Sequence, residues 1–333
     1  MKILLTGGTG FVGSAVLRRL LLAGHQVRIL VRQTSNRRNV EGLDVDIAIG
    51  DLRDPASLAS AIRGCTALFH VAANYRLWAA DVAELYRDNV EGTRNIMLAA
   101  GREGVDRVVY TSSVATLGLN KDGSPANEDT AAVLDDMIGH YKRSKYLAEI
   151  EVRRFALEEV VPVIIVNPAA PVGPRDIKPT PTGRMILDVA SGNMPAYVDT
   201  GLNIVHVDDV AEGHLLAYLH GKIGDRYILG GTNLTLKEIF SQVCRISGNR
   251  APRIRLPHNL LLPIGYTVEA WSRLTGQEPR ITVDGIRLAR KRMFFATDKA
   301  ARELNYRPRP VTVAFQDAVR WFRENNYLKR GPG

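Results

Sequence analysis

The sequence MKILLTGGTGFVG at residues 1–13 decides the fold. Its apolar residues 3–5 predict a strand that is buried on both faces of a sheet. Glycines follow at once, in the pattern G-x-G-x-x-G and in the wider spacing of Gly7, Gly10 and Gly13, and a helical pattern comes next. This order predicts a dinucleotide site, because glycines let the backbone approach a pyrophosphate and a helix N-terminus favours negative charge.

Length and composition are those of an ordinary globular protein. The chain has 333 residues, of which 45% are hydrophobic and 24% are charged, enough for one large domain or two coupled ones. No apolar run approaches the roughly 18 residues of a membrane span. We expect no signal peptide, because a strand pattern follows Met1 directly. Cys65 and Cys244 are isolated, which predicts reduced buried thiols, a cytoplasmic protein and no metal site.

The positive charge is concentrated in the last quarter of the chain. The formal net charge is +9, and residues 251–333 alone carry 16 Lys+Arg against 7 Asp+Glu. Such a segment can attract an anionic substrate or a membrane surface, or it can be a solvated basic face that aids solubility. Nucleic acid is not expected as a partner, because dense basic runs interleaved with aromatic residues are absent from the sequence.

The second predicted strand, residues 26–31, is followed by a basic residue. An Asp or Glu at this point would bind the ribose hydroxyls of NAD, whereas an arginine can pair with a 2′-phosphate. Arg32, with Ser35, Arg37 and Arg38 after it, therefore predicts NADP as the preferred cofactor. NAD stays possible, and so does a solvated basic loop.

Three further strands, at residues 45–49, 67–71 and 107–111, alternate with helices. This alternation predicts an α/β fold with a doubly wound parallel sheet, which binds ligands at the carboxyl ends of its strands. Asp51 follows the first of these strands and either accepts a hydrogen bond from the adenine amino group or caps the helix near Pro55. His70 ends the second strand, and we expect it to be packed rather than catalytic.

A tyrosine and a lysine open a predicted helix at residues 141–159. Tyr141 and Lys145 are four residues apart and therefore share one helix face. A free tyrosine, with a pKa of about 10, is a poor acid–base catalyst at neutral pH, and a nearby ammonium lowers that pKa. Ser112 and Ser113 end the strand at 107–111. Together with the nucleotide motif, these residues predict a proton relay for hydride transfer.

These motifs resemble those of the extended short-chain dehydrogenases/reductases. The matching stretches include TGGTGFVG, HVAAN, NVEGT, TSS and YKRSK, with further matches at residues 167–174, 205–211 and 297–304. The resemblance spans nearly the whole chain. It implies a Rossmann-type domain that binds NAD(P), a smaller C-terminal substrate lobe, a small-molecule substrate and a homodimer.

The resemblance also implies the roles of individual residues. Tyr141 would be the general acid/base, Lys145 would bind the nicotinamide ribose and tune Tyr141, and Ser113 would hydrogen-bond the reacting oxygen. Ser112 is the alternative to Ser113 if the register differs by one. The cofactor-binding set that follows is Gly7, Gly10, Phe11, Val12, Gly13, Arg32, Asp51, Leu52, Ala72, Ala73, Tyr141, Lys145 and Pro168.

Residues 75–78 and 110–117 resemble a subgroup called dihydroflavonol-4-reductase-like proteins or hopanoid-associated sugar epimerases. Two reactions fit the same residues. A reductase would bind NADPH, reduce a ketone and release NADP, whereas an epimerase would retain its NAD and return the hydride to the same sugar. A nucleotide-sensing regulator without catalysis is a third possibility, which the intact pair of Tyr141 and Lys145 disfavours.

The second half of the chain is harder to interpret. We expect residues 1–169, with returning pieces near 204–230, to form the nucleotide domain, and residues 170–203 and 231–333 to form the substrate lobe. Residues 171–181 contain four prolines, which predicts a mobile loop and a candidate lid. Arg184 can meet an anionic group of the substrate. The apolar face at residues 256–274 is expected to be lobe core, with a helix on a membrane surface as the alternative.

Overall fold

The computed structural model describes residues 1–76, 81–158, 160–275 and 282–328. Leu77 and Trp78, which belong to one of the motifs above, lie outside the described residues. The strands are β1 Lys2–Thr6, β2 Gln26–Val31, β3 Asp46–Ile49, β4 Ala67–His70, β5 Arg107–Thr111, β6 Val163–Pro168, β7 Ala170–Val172, β8 Ala196–Tyr197, β9 Gly201–His206, β10 Arg226–Leu229, β11 Thr232–Thr235, β12 Ile254–Arg255 and β13 Arg292–Met293. The helices are α1 Phe11–Leu22, α2 Pro55–Ile62, α3 Val82–Tyr86, α4 Gly92–Glu103, α5 Gly139–Leu157, α6 Pro181–Ala190, α7 Val207–His220, α8 Leu236–Ser247, α9 His258–Thr275, α10 Val283–Leu288, α11 Asp298–Leu304 and α12 Val311–Glu324.

The main sheet has seven strands in the order β3-β2-β1-β4-β5-β6-β10, and every neighbouring pair is parallel. The order reverses direction between β1 and β4, which is the switch point where doubly wound sheets bind ligands. The prediction of a doubly wound parallel sheet is confirmed.

Helices cover both faces of this sheet and bury its apolar strands. On one face α1 and α7 pack together against β1, β2 and β10. On the other face α2, α4 and α5 pack against β4, β5 and β6. The two buried layers hold the carboxyl ends of β1, β4, β5 and β6 at one edge of the sheet, where the candidate site lies.

A second sheet forms after β6, from β7, β9, β11 and β13. It packs with α6, α8 and α12 around a third buried apolar cluster. The chain returns to the main sheet through α7 and β10, which lie between residues 207 and 229. Helix α11 contacts α7 and β10, although its residues were assigned to the substrate lobe. The boundaries between domains stay a prediction.

The segment at residues 171–181 is anchored on several sides. Strand β7 occupies its start and pairs with β9. Asn39 Nδ2 donates to the Arg175 carbonyl at 3.1 Å, and Tyr327 Oη donates to the Ile177 carbonyl at 2.6 Å. Both hydrogen bonds come from parts of the chain distant in sequence, so the segment is not the free lid that its prolines predict.

The apolar face of helix α9 is exposed, which contradicts another prediction. We expected its apolar face to be core, yet Leu260 is 63% exposed, Ile264 47% and Trp271 67%. Leu261 and Val268 are partly buried. The periodicity of the apolar residues predicted the helix correctly, but it does not show which face of the helix packs against another element. Among the described residues, no helix is long and apolar enough to cross a membrane.

Candidate active site

The glycine turn between β1 and α1 is shaped by close backbone contacts. Gly7 has a φ of +74°, and a Cβ placed on it would lie 2.7 Å from the Ala72 backbone nitrogen. A Cβ on Gly13 would lie 2.0 Å from the Gly7 carbonyl oxygen. Gly10 precedes α1, and no side chain among the described residues caps this helix. Only glycine therefore fits at Gly7 and Gly13. Because no side chain caps α1, its N-terminal N–H groups can bind an anionic group of a ligand.

The other predicted cofactor residues surround this turn. Phe11 and Val12 open α1, and both are partly buried. Ala72 and Ala73 follow β4, beside Gly7, as expected from their position after a strand. Pro168 ends β6 and is buried. The structure therefore brings these residues to the carboxyl-end edge of the sheet.

Arg32 and Asp51 lie at the ends of β2 and β3. Arg32 is exposed, and its backbone nitrogen donates to Ser35 Oγ at 3.1 Å. Asp51 forms an ion pair with Arg53 at 2.8 Å, and this hydrogen-bonded guanidinium lowers the pKa of Asp51, with Arg32 as a smaller cause. The suggestion that Asp51 caps the next helix is wrong, because Asp54 accepts the hydrogen bond from Ala56 at the start of α2.

Leu52 fills the space between this loop and helix α4. A Cβ on Gly92, the first residue of α4, would lie 2.9 Å from Leu52 Cβ. The five residues before Gly92, Arg87–Glu91, form a π-helical turn that joins α3 to α4. Such turns are frequent at functional sites. This one contains Asn89, whose buried amide bonds the Asn74 backbone and donates to Ser144 Oγ at 2.9 Å.

Tyr141 and Ser113 meet above the end of β5. The Ser113 side chain lowers the pKa of Tyr141, but burial has the larger effect and raises it. Ser113 Oγ also accepts from the Ala115 backbone at 3.1 Å, which holds the hydroxyl in place. We expected the nearby ammonium to lower the pKa of Tyr141. The structure gives the opposite direction, because desolvation of the phenolate outweighs the effect of Ser113.

Lys145 lies one turn further along α5 and is buried. Its Nζ donates to the Thr111 carbonyl at 2.9 Å and to Tyr110 Oη at 3.2 Å. The ammonium also sits 4.9 Å from the centre of the Tyr110 ring. Burial lowers the pKa of Lys145 to about 8, although the charge of Glu149 acts against this. Lys145 is therefore held toward β5, close to the edge where the nucleotide motif ends.

Ser112 is directed away from Tyr141 and bonds a buried carboxylate. Its hydroxyl donates to Glu149, which also accepts from Thr116 Oγ1 at 2.8 Å and from Asn167 Nδ2 at 3.0 Å. Arg226 Nη1 lies 3.2 Å from the same carboxylate. Of the two serines, the structure thus places Ser113 at Tyr141 and uses Ser112 to anchor Glu149.

Sequence reasoning missed Glu149, although a signal was present. Tyr141, Lys145 and Glu149 recur every four residues and so lie along one face of α5. The carboxylate joins the ends of β5 and β6 to the helix that carries the tyrosine and the lysine.

Lys142 is a second missed residue. Its side chain is buried beside β13, and Nζ lies 3.9 Å from Met293 Sδ. Burial lowers the pKa of Lys142 to about 8, and the charge of Lys291 lowers it further.

His70 has the packed environment that we expected. Its two ring nitrogens hydrogen-bond Thr6 Oγ1 at 2.7 Å and Thr93 Oγ1 at 3.0 Å, and the ring stacks on Tyr110. Burial lowers its pKa to about 3, which keeps it neutral. Cys65 and Cys244 are buried free thiols. Within the described ranges, no cluster of three His, Cys, Asp or Glu side chains could hold a metal ion.

Comparison with known proteins identifies this arrangement. The model of the family described as "NAD dependent epimerase/dehydratase family" matches residues 3–230. The chain belongs to the NAD dependent epimerase/dehydratase family. Like the extended short-chain enzymes that its motifs resemble, this family member is an NAD(P)-dependent oxidoreductase.

Relatives of this family member match most or nearly all of its length. A putative dihydroflavonol 4-reductase of a Synechocystis species is 45% identical over 97% of this chain and 95% of its own. Dihydroflavonol 4-reductase of Zea mays is 30% identical over 70% of this chain and 71% of its own. The crystal structure of gox2253 superposes with a TM-score of 0.89 at 55% identity, covering 98% of this chain and 99% of its own.

The residues of the glycine turn fit the nicotinamide dinucleotide that the family requires. The turn is so tight that a Cβ at Gly7 or Gly13 would clash with the backbone of Ala72 or of Gly7, and the N-terminus of α1 has no side-chain cap in the described part of the chain. Backbone N–H groups in such a turn suit a pyrophosphate.

Proposed function

We propose that the chain is an NADP-dependent reductase that converts a small-molecule ketone to an alcohol. When bound, the nicotinamide supplies the hydride. Tyr141 donates the proton to the oxygen of the reacting carbonyl, and Ser113 holds that oxygen by a hydrogen bond. The observation that carries the proposal is that Ser113 lies close enough to Tyr141 to affect its pKa at the carboxyl end of β5, with Lys145 one turn away along α5 and bonded to the Thr111 carbonyl.

The protonated state of Tyr141 agrees with a role as proton donor in reduction. Burial raises this pKa, so the hydroxyl is protonated at neutral pH. A protonated tyrosine is the form that donates to a developing alkoxide, whereas an epimerase must begin with a tyrosine that accepts a proton from a carbinol. The relatives named dihydroflavonol 4-reductase agree with this direction.

The preference for NADP rests on Arg32. It is exposed at the end of β2, where NAD enzymes of this fold carry an acidic residue for the ribose hydroxyls. Asp51, whose pKa is affected by the charge of Arg32, is itself engaged by Arg53. Arg32 is therefore available to pair with a 2′-phosphate.

Lys142 and Lys291 suggest one property of the substrate. Because these two cations lie near each other, an anionic group on the substrate would relieve their repulsion.

The first test concerns the nucleotide carried by the purified protein. The protein is denatured, the released nucleotide is identified, and exchange of the native protein with NADPH is followed. We expect a site that takes up NADPH reversibly. A stoichiometric NAD that does not exchange would identify a sugar epimerase instead and overturn the proposal.

The second test is Tyr141→Phe. We expect turnover of a ketone found by screening to fall at least about a hundredfold, with NADPH affinity nearly unchanged. Tyr146→Phe is the matched control, because Tyr146 lies on the same helix and donates to the Ala132 carbonyl at 2.9 Å. Unchanged turnover in Tyr141→Phe would remove Tyr141 from the chemistry. Tight NADPH binding without turnover in the unaltered protein would identify a non-catalytic sensor.

A further inference from the structure

Helix α9 turns an apolar stripe toward solvent. Leu260 is 63% exposed, Ile264 47%, Trp271 67% and Leu274 83%. Together with Thr267, these residues follow one another at intervals of four and three. That spacing places them on one narrow face of the helix. Single exposed apolar side chains are common on proteins, but a continuous stripe of four on one helix marks an interaction surface.

The opposite side of α9 is packed against the protein, which fixes the direction of the stripe. Gly265 is buried, and a Cβ on it would lie 2.6 Å from Ile286 of α10. Glu269 accepts a hydrogen bond from the Val283 backbone at 2.7 Å, and His258 bonds the Ala289 carbonyl at 2.7 Å. One face of α9 is therefore fixed against the protein, and the apolar stripe on the other face is exposed to solvent.

The surroundings of the stripe are strongly basic. Residues 250–292 carry nine Lys+Arg and three Asp+Glu. Exposed basic side chains occur on both sides of α9 in the chain, at Arg253, Arg255, Arg287, Arg290, Lys291 and Arg292. Asp199 and Asp284 neutralise part of this charge, through ion pairs of Asp199 with Arg255 at 2.9 Å and Arg292 at 3.2 Å, and of Asp284 with Arg287 at 3.7 Å.

We propose that α9 docks the protein on the surface of an anionic lipid bilayer. The stripe would lie in the interface between headgroups and acyl chains, and the basic side chains would contact lipid phosphates. Trp271, within the stripe, has the amphipathic ring that favours this depth. A second copy of this chain fits less well, because two such basic surfaces would repel each other.

Docking would also affect the candidate active site. Helix α10, which packs on α9, meets the start of the catalytic helix, where Asp284 Oδ2 lies 2.9 Å from a Cβ placed on Gly139. Tyr141 is two residues further along the same helix. Only α9 and α10 would then separate the lipid surface from the catalytic helix α5. This arrangement suits a substrate that is dissolved in the bilayer.

The experiment uses the full-length protein and vesicles in a flotation assay. Vesicles of about three parts phosphatidylcholine to one part phosphatidylglycerol are compared with vesicles of phosphatidylcholine alone. We expect binding to the anionic vesicles that weakens as salt concentration rises. The double variant Leu260→Ser/Leu274→Ser should bind at least about tenfold more weakly. Leu157→Ser is the matched control, because Leu157 is 84% exposed on α5, and it should bind like the unaltered protein.

Charge and insertion depth are tested separately. Arg290→Gln/Lys291→Gln should weaken binding to anionic vesicles more than Arg102→Gln/Lys121→Gln, which removes the same charge from exposed positions elsewhere. Vesicles should shift the tryptophan emission to shorter wavelength in Trp321→Phe but not in Trp271→Phe. Circular dichroism and thermal unfolding establish that each variant is folded.

Three outcomes would overturn the proposal. The first is that the unaltered protein does not bind anionic vesicles. The second is that the folded Leu260→Ser/Leu274→Ser variant binds as well as Leu157→Ser. The third is that the leucine substitutions convert a dimer to a monomer and leave vesicle binding unchanged, which would make the stripe an interface between two copies.

Discussion

At the scale of single residues, the candidate site combines a protonated tyrosine with a lysine that is easily deprotonated. Burial raises the pKa of Tyr141 and lowers the pKa of Lys145 to about 8, since in each case the charged form loses its solvation. Glu149 opposes the change at Lys145, and four side chains from β5, β6, β10 and their loops hold its carboxylate. We therefore expect Glu149 to be a positioning residue that acts through Lys145.

The pH profile of the reductase activity tests this role. The Lys145 ammonium is protonated below its pKa, so activity that needs it should be full below pH 8 and fall above it. Glu149→Gln removes the charge that raises this pKa, and we expect the alkaline limb to move down by about one pH unit. Glu151→Gln, on the same helix and paired with Arg154, is the control. An alkaline limb that stays in place in Glu149→Gln would contradict the coupling, even if activity drops.

Arg32 carries a prediction about cofactor choice. Arg32→Ala should weaken NADPH binding about tenfold or more, the value of a hydrogen-bonded charge, and leave NADH binding nearly unchanged. Titration of both nucleotides by fluorescence measures the two dissociation constants. Arg102→Ala, an exposed arginine on α4, should change neither. Equal weakening of NADPH and NADH in Arg32→Ala would show that the arginine does not recognise the 2′-phosphate.

At the scale of elements, the turn between β1 and α1 leaves no room for a side chain. Gly13→Ala would place a Cβ 2.0 Å from the Gly7 carbonyl oxygen, whereas in Gly10→Ala the nearest atom is 3.3 Å away. We expect Gly13→Ala to lower the free energy of unfolding by about 3 kcal/mol, and Gly10→Ala by much less. Urea unfolding of both variants measures the difference. Equal stabilities would mean that the turn can open without cost.

Local spacing decides which elements can be predicted from the sequence. The glycine turn, the pair of Tyr141 and Lys145 and the parallel sheet all follow from patterns within a few residues. The bonds of Glu149 do not, because Ser112 is 37 residues away and Arg226 is 77. Helix α9 shows a different limit, since its apolar stripe has the same period whether it is buried or exposed. The core assignment failed there because no neighbouring element covers Leu260 or Trp271 among the described residues.

At the scale of the whole molecule, the C-terminal segment ties the two sheets together. Arg309 donates to the buried carboxylate of Asp209 on α7, through its backbone at 2.9 Å and its side chain at 2.8 Å. Tyr306 Oη donates to the Gly230 carbonyl at 3.0 Å, next to β10, and α12 follows to pack in the second cluster. A ligand bound at the glycine turn should therefore stabilise the second sheet as well as the first.

Thermal unfolding with and without NADPH tests this coupling. At about a hundred times its dissociation constant, the nucleotide should add about 2.7 kcal/mol to the free energy of unfolding. Two probes are compared in Trp78→Phe, whose remaining tryptophans, Trp271 and Trp321, lie outside the main sheet. Because the segment around Arg309 joins the two sheets, the midpoints by circular dichroism and by tryptophan emission should rise together. If NADPH does not change the unfolding midpoint measured by tryptophan emission, the second sheet unfolds independently of the first. The hydrogen bonds at Asp209 would then not couple the second sheet to the nucleotide site.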